Sequence, residues 1–576
     1  MTGTRVWAPN AKRVEIETAG RRTEMLQGDG GWWQAPFDVP PEADYAFCLD
    51  GGPPRPDPRS PFQPQGLHGP SRAVDHSTFA WNDHRWQARP LHSAVIYELH
   101  VGTFTPEGTF EAVIGKLGHL SELGVTHVEL MPVNEFPGRR GWGYDSVDLY
   151  APHHGYGGPE GLKRLIDACH RQGLAVLIDV VYNHLGPAGN YLHEFGPYFS
   201  ERHHTPWGWA INFDGPQSDE VRRFFCDNAL MWLRDYHADG LRLDAIHAII
   251  DTSALPFLEQ LATEVAELAS HLGRHLVLVA ESDLNDPRVV RNWEIGGFGF
   301  DAQWSDDFHH ALHTVLTGER EGYYSDFGRL EDLSLALEQN FVYAGRYSAF
   351  RGRSHGRATL NLSGHRFLAY LQNHDQLGNR AQGDRSSHLM STGRLKVGAA
   401  LVLTSPFVPM LFQGEEWGAT APFQFFTDFQ EPELAQAVRE GRPKEFAAFG
   451  WSPEQIPDPQ DPATFERSKL NWSEIGRSPH TELLDWHRRL IRLRGEETAL
   501  TDGRLDRVQT RFDEHARWLT VERGPITVVC NLGEQAQRVP VDSDRPRTVR
   551  LASEPQIEVD SAGVLLPPDA VVILGS

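Results

Sequence analysis

Cysteine is scarce in this chain of 576 residues: there are four, Cys48, Cys169, Cys226 and Cys530, with no CxxC pair and no metal-ligand spacing. That excludes a disulfide scaffold and a cysteine-based zinc site. Three of the four sit among apolar neighbours, as buried free thiols do. Long apolar runs are also missing. None approaches the roughly 20 residues that cross a bilayer. The N-terminal MTGTRVWAPNAKRVEI lacks the apolar core of a secretory signal, so a cytoplasmic chain with no membrane partner is expected. Positive charge is in deficit: 54 Lys and Arg against 78 Asp and Glu leave a net −24, which argues against a nucleic acid partner. No GxGxxG or GxxxxGKS/T stretch opens a helix, against a nucleotide-binding fold. HxH and HExxH spacings are absent as well, so neither a catalytic metal nor a cofactor is expected, while a structural Ca²⁺ or Mg²⁺ in the loops stays open.

Aromatic residues are plentiful, with 16 Trp, 14 Tyr and 30 Phe. Large cores use some of them; stacking platforms for flat, neutral ligands such as sugar rings are the other reading. The length excludes a single core, and the pattern changes twice along the chain. Residues 1–90 carry short alternating runs (VWAPNAKRVEIET, GWWQAPFDV, ADYAFCLDG) split by Gly, Pro and Asp, the pattern of a β-sandwich. The stretch 51–71 is a stiff Pro-rich connection. Residues 501–576 repeat the theme as a C-terminal antiparallel β domain.

Between them, in 91–500, eight apolar β-rich runs alternate with stretches of helical period. The runs are 93–101, 125–133, 174–183, 240–246, 275–282, 298–305, 367–375 and 406–416. Alternation implies a parallel sheet, and eight strands over some 320 residues fit a (β/α)8 TIM barrel better than an open sheet. The fold class expected is therefore α/β, a barrel flanked by two β domains. A Gly-, Pro- and aromatic-rich insertion at 185–216 is expected to stand over one mouth of the barrel as a lid.

Polar residues gather where these strands end: Asp179, Asn183 and His184 on the third, Arg242 and Asp244 on the fourth, Glu281 on the fifth, His374 and Asp375 on the seventh. The C-terminal ends of barrel strands carry active sites. Acids ending adjacent strands, which lie roughly 4.8 Å apart, can reach the ~5–5.5 Å spacing of a retaining glycosidase pair. Arg242 would keep Asp244 ionised, while the apolar run before Glu281 would hold its proton. Each residue has a plainer reading too. Arg242 and Asp244 alone are equally a structural ion pair, Asp179 is equally a loop anchor, and single histidines are more often packing residues. The clustering at four strand ends favours function. Arg242 beside Asp244 would repel a cation, so metal-free chemistry is favoured.

DVVYNH (179–184), GLRLDAIH (240–247), VLVAES (277–282) and LQNHD (371–375) resemble, in order, the four sequence signatures of the α-amylase superfamily. The resemblance covers residues 90–480. It implies a barrel acting on α-glucans by retaining double displacement, with Asp244 as nucleophile, Glu281 as general acid/base and Asp375 as the carboxylate that grips sugar hydroxyls. His184, Arg242 and His374 match residues around the reacting sugar. Tyr144, in GWGYDSVDLYAP, is similar to a stacking tyrosine, with Asp145 beside it. The N-terminal run resembles the sandwich of branching enzymes, isoamylases and trehalohydrolases. AESDLNDPR, MLFQGEEWGATAPFQFFTDF (410–429) and GRPKEFAAF (441–449) are similar to the trehalohydrolase branch. The implied partners are maltooligosyltrehalose and related α-glucans. Trp207 and Trp209, with FQFFTDF (423–429), are candidates for stacking on the trehalose side, or equally for lid packing. Two alternatives remain: a glucan branching enzyme, and a non-catalytic glycan-binding protein, whose signature would be a lost carboxylate; all three positions are filled.

Overall fold

The computed structural model describes residues 3–445, 451–541 and 547–576. Eight parallel strands close into a barrel: β1 (Ile96–Leu99), β2 (His127–Leu130), β3 (Ala175–Val180), β4 (Gly240–Leu243), β5 (Val277–Ala280), β6 (Ala302–Trp304), β7 (Phe367–Ala369) and β8 (Val408–Phe412). Each falls within one of the eight runs expected to form it, because a strand buried on both faces is mostly apolar and admits a charge only where it finds a partner. Met410 of β8 pairs with Ile96 of β1 and closes the ring. At the start of β4 a side chain on Gly240 would meet the Val277 carbonyl at 2.5 Å and Leu177 at 2.8 Å, so the strand can begin there only without a Cβ.

Helices fill the crossovers: α1 (Gly158–Arg171), α2 (Ser218–Arg234), α3 (Phe257–Leu272), α4 (Asp306–Thr317), α5 (Thr392–Leu403), α6 (Pro432–Glu445) and α7 (His480–Glu496). In α1 Pro159 sits in the first turn, where its missing N–H costs nothing, and the helix ends before Gly173, whose φ is +77°. Among the described residues no helix is long and apolar enough to cross a membrane. All four cysteines are buried and unpaired.

Residues 5–72 form two small antiparallel sheets. Trp33 is buried and donates to the Ala8 carbonyl at 3.1 Å, and Trp7 packs edge-on against Tyr198 of the 185–216 insertion. Arg55 holds Glu194 of the same insertion through two bonds of 3.0 and 2.7 Å. These contacts brace the insertion from behind. At the far end, antiparallel sheets of five and three strands occupy 508–575, tied to the barrel where Asp569 meets Arg394 of α5 at 2.9 Å.

The floor of the barrel carries a buried polar clasp. Asp83, from the segment preceding β1, faces Nδ1 of His170 in α1 at 2.9 Å, and His170 Nε2 faces Asp239, just before β4, at 2.9 Å. Trp86 stacks on His170 and donates to Asp239 at 2.8 Å. Burial alone would lower the His170 pKa, but Asp239 and Asp83 outweigh it and raise it. Burial opposes ionisation of Asp83 and Asp239 too, yet their histidine partners hold both below the usual range. A raised histidine stabilises below its unfolded pKa of roughly 6.5 and loses that as pH rises through the folded value. Lowered carboxyls act above roughly pH 4 and lose their contribution as pH falls. The clasp is therefore tightest between those limits. Asp83→Asn is expected to lower Tm at pH 6, with the deficit narrowing as pH climbs past the His170 titration. Fluorimetric melts from pH 5 to 9 check this; a deficit independent of pH would contradict it.

Candidate active site

The strand ends build the site in register. Asp179 of β3 lies beside Arg242 of β4, and Leu243 of β4 beside Ala280 of β5, so Asp244 and Glu281 leave neighbouring strands at the same height. Arg242 has no solvent exposure. One end of its guanidinium reaches both Asp179 oxygens at 2.8 Å and Asp244 Oδ1 at 2.9 Å; the other reaches Glu281 Oε2 at 2.9 Å. Its flat face lies 4.2 Å over the Trp304 ring. A cation carried into a barrel core is tolerable only with such partners.

Past Asp244 the chain turns sharply. Ala245 adopts φ 38°, ψ 49°, a left-handed conformation that costs an L-residue roughly 1–2 kcal/mol. The turn aims the Ala245 N–H at Glu281 Oε2, 2.8 Å away. Asn183 Nδ2 donates to Asp244 Oδ2 at 2.8 Å. Burial would raise the Asp244 pKa, but Arg242, His184 and Asn183 bring it below the usual carboxylate value. At Glu281 burial dominates. Arg242 counters it only in part, Asp244 and Asp375 add to it, and the carboxyl is held well above its ordinary pKa. Asp179, buried beside the same arginine, is raised to about 6, chiefly by burial. Burial and the shared arginine thus push the pKa values of neighbouring acids in opposite directions.

Tyr144, Asp145, His184, Trp207, Asp244, Glu281, His374 and Asp375 line a single cleft of about 760 Å³, with Arg242 beneath it. Asp375 is the most open of the three acids, its side chain 38% exposed. The Tyr144 hydroxyl donates to Asp179 at 2.6 Å and lies 2.8 Å from His374 Nε2. Asp145 is raised to about 6 by burial. Its backbone packs against Gly186, where any Cβ would strike the Asp145 carbonyl at 1.9 Å. Trp207, at the tip of the hairpin formed by 199–205 and 208–211, is 48% exposed and stacks on His184 with centroids 4.7 Å apart. Trp209 does not join the cleft. Gly208, with φ +120°, redirects the chain between the two, and Trp209 lines a neighbouring hollow of about 360 Å³ instead. Within 423–429 only Phe425 and Phe429 reach the cleft; Phe423 and Phe426 are buried with Trp142.

Among the described residues one group, Glu135, His153 and His154, brings potential ligand atoms within 4.8 Å of one another. Its hydrogen bonds close on themselves. Glu135 takes the His154 N–H at 2.8 Å and faces its Nδ1 at 2.7 Å, while His153 bonds Gly155 and Gly138. The group reads as a knot that anchors the segment after β2.

The alpha-amylase catalytic domain family matches residues 78–215, and a domain of unknown function, DUF3459, matches 503–573. The malto-oligosyltrehalose trehalohydrolase of Mycobacterium tuberculosis is 51% identical over 546 residues, covering 94% of each chain. That of Arthrobacter ramosus is 52% identical over 533 residues, covering 92% of each. The chain belongs to the malto-oligosyltrehalose trehalohydrolase family. A 1.4 Å crystal structure of a Salmonella typhimurium protein described as an alpha amylase shares the fold at 40% identity with a TM-score of 0.91, covering 99% of this chain and 97% of that one.

Several features of this trehalohydrolase-family cleft stand outside the expected set. Glu98 of β1 binds His374 from below. Helix α6 roofs one side through Leu434, Val438 and Arg442, and Arg442 donates to the Gly378 carbonyl at 2.6 Å. A signal for each was present. Glu98 is a lone charge in the apolar run VIYELHV, the same kind of anomaly as Arg242. Leu434, Val438 and Gly441 recur at helical spacing on the cleft side. Positions 446–449 of GRPKEFAAF lie outside the described residues.

Proposed function

We propose that the protein hydrolyses the α-1,4-glucosidic bond next to the terminal trehalose of maltooligosyltrehalose, with retention, releasing trehalose and a shorter maltooligosaccharide. The observation that carries this reading is one buried guanidinium bonded at 2.9 Å to each of two acids that leave adjacent strands at the same height. An arginine fork that grips both carboxyls favours the close pairing of retaining enzymes, roughly 5–5.5 Å, over the roughly 6.5–9.5 Å of inverting ones.

Asp244 attacks C1 of the glucosyl residue, forming an ester as the C1–O bond to trehalose breaks. Glu281 gives its proton to the departing oxygen. Because Oε2 already accepts from Arg242 and Ala245, that proton belongs on Oε1. Glu281, now a carboxylate, takes a proton from water; the hydroxyl oxygen bonds to C1 and Asp244 leaves. Asp375, open to the cleft, suits binding of sugar hydroxyls, and Tyr144 offers its ring to the sugar face. His184 and His374 complete the wall around that ring.

Product analysis on trehalose-capped maltooligosaccharide, with uncapped chain as control, tests the proposal. Free trehalose from the capped chain is expected; new branch points on amylose without trehalose would favour the branching enzyme instead. For the acceptor side, Trp207 is the residue with exposed ring face inside the cleft. Trp207→Ala is expected to reduce the capped-to-uncapped kcat/KM ratio by roughly 2- to 12-fold, in line with the roughly 0.5–1.5 kcal/mol of an aromatic contact. An unchanged ratio would assign Trp207 to lid packing.

A further inference from the structure

Glu98 is a carboxylate with 1% side-chain exposure in the middle of an apolar strand, and both its oxygens are spent on one residue. Oε2 accepts the backbone N–H of His374 at 3.1 Å, and Oε1 faces His374 Nδ1. The ring of His374 lies nearly parallel to Tyr144, centroids 5.2 Å apart, and edge-on or tilted to Trp142 and Trp304. Its other nitrogen, Nε2, lies 2.8 Å from the Tyr144 hydroxyl and 3.6 Å from Asp375 Oδ1.

The direction of the hydrogen bonds decides the charge on that ring. Tyr144 has a single proton, and it goes to Asp179. The hydroxyl must then accept from His374, so Nε2 carries a proton. Nδ1 faces a carboxylate, which accepts, so Nδ1 carries one too. We infer that Glu98 is a positioning residue that keeps His374 an imidazolium, with its Nε2–H presented to Tyr144 and Asp375 at the cleft floor.

The surroundings fit. Glu129, paired with Glu98 across β1 and β2, is buried with no hydrogen-bond partner on either oxygen, and burial holds it protonated. The other charged or titratable groups facing His374 are Asp375 and, across the Tyr144 hydroxyl, Asp179, which favour its charge, Arg242, which opposes it, and His100, lowered to about 4 mainly by burial and therefore neutral. Burial lowers the His374 pKa, and Glu98 and Asp375 more than restore it.

Where activity is the readout, the inference rests on the hydrolase proposed above. Glu98→Gln keeps the shape and removes the charge. It is expected to lower kcat/KM on maltooligosyltrehalose by roughly 10- to 100-fold. The alkaline limb of its pH profile should move to lower pH, and Glu98→Asp should recover part of both. A variant with the parent profile would overturn the inference. The parent chain offers a readout independent of turnover and of the variant's folding. With ¹⁵N-histidine labelling, and the His374 signals assigned by their loss in His374→Asn, both ring nitrogens should be protonated at pH 7.5. A neutral ring there would overturn the inference, while an absence of trehalose release by the parent would count only against the hydrolase reading.

Discussion

Asp244→Asn is expected to abolish turnover, by roughly 10⁴-fold or more in kcat, while the protein still folds. The substitution keeps the side chain's size and its carbonyl can still accept from Arg242, so packing around β4 is preserved. What disappears is the charged oxygen proposed above to bond to C1. A neutral amide is a poor nucleophile, and no neighbouring group can take its place: Asp179 is held by Arg242 and Tyr144, and Glu281 retains its proton. A second consequence follows from coupling. Asp244 helps to raise the Glu281 pKa, so in the variant Glu281 should ionise at lower pH and any residual activity should fail earlier on the alkaline side. Steady-state kinetics on maltooligosyltrehalose, with a circular-dichroism melt as control, check both. Activity within tenfold of the parent, with the fold intact, would remove Asp244 from the nucleophile's role.

Arg242→Leu should have the largest effect on stability. It leaves Asp179, Asp244 and Glu281 buried together with no cation between them, and breaking a buried ion pair from one side costs roughly 3–5 kcal/mol. Turnover should fall on the order of 10²–10³-fold, because the site loses the charge that keeps Asp244 ionised. The sign of the pH dependence discriminates this from simple loss of packing. In the parent, the lowered Asp244 stabilises above the usual Asp pKa and loses that contribution as pH falls through its folded value. Without Arg242, burial governs: the folded pKa of Asp244 rises above its value in the unfolded chain, and that of Asp179, already raised, climbs further. A raised carboxyl loses stability as pH increases. The penalty should accordingly be larger at pH 7 than at pH 5. Urea titrations at the two values measure it, and an equal penalty at both would mean that the arginine matters for its volume alone.

The barrel was legible because strands buried on both faces are mostly apolar, and eight such runs separated by amphipathic helices have few ways to assemble. The acids at the strand ends stood out for the same reason: Arg242 and Asp244 break an apolar run where an unpaired charge would be costly. Glu98 breaks its run in the same way, yet its partner lies 276 positions away and nothing local connects the two. The roof contributed by α6 was equally hidden, since helical spacing shows which residues share a face and not what that face covers. Trp209 missed the cleft because one glycine in the hairpin turn redirects the chain between it and Trp207.

From its residue order alone this protein was bound to form a parallel α/β barrel with carboxylates at one rim, since burying apolar runs and solvating charges leaves little choice. The division of labour among those carboxylates was settled only by folding. Protonation depends on distance to Arg242, on depth below the surface and on the strained turn at Ala245, and each of these arises from strands far apart in the chain meeting at one height.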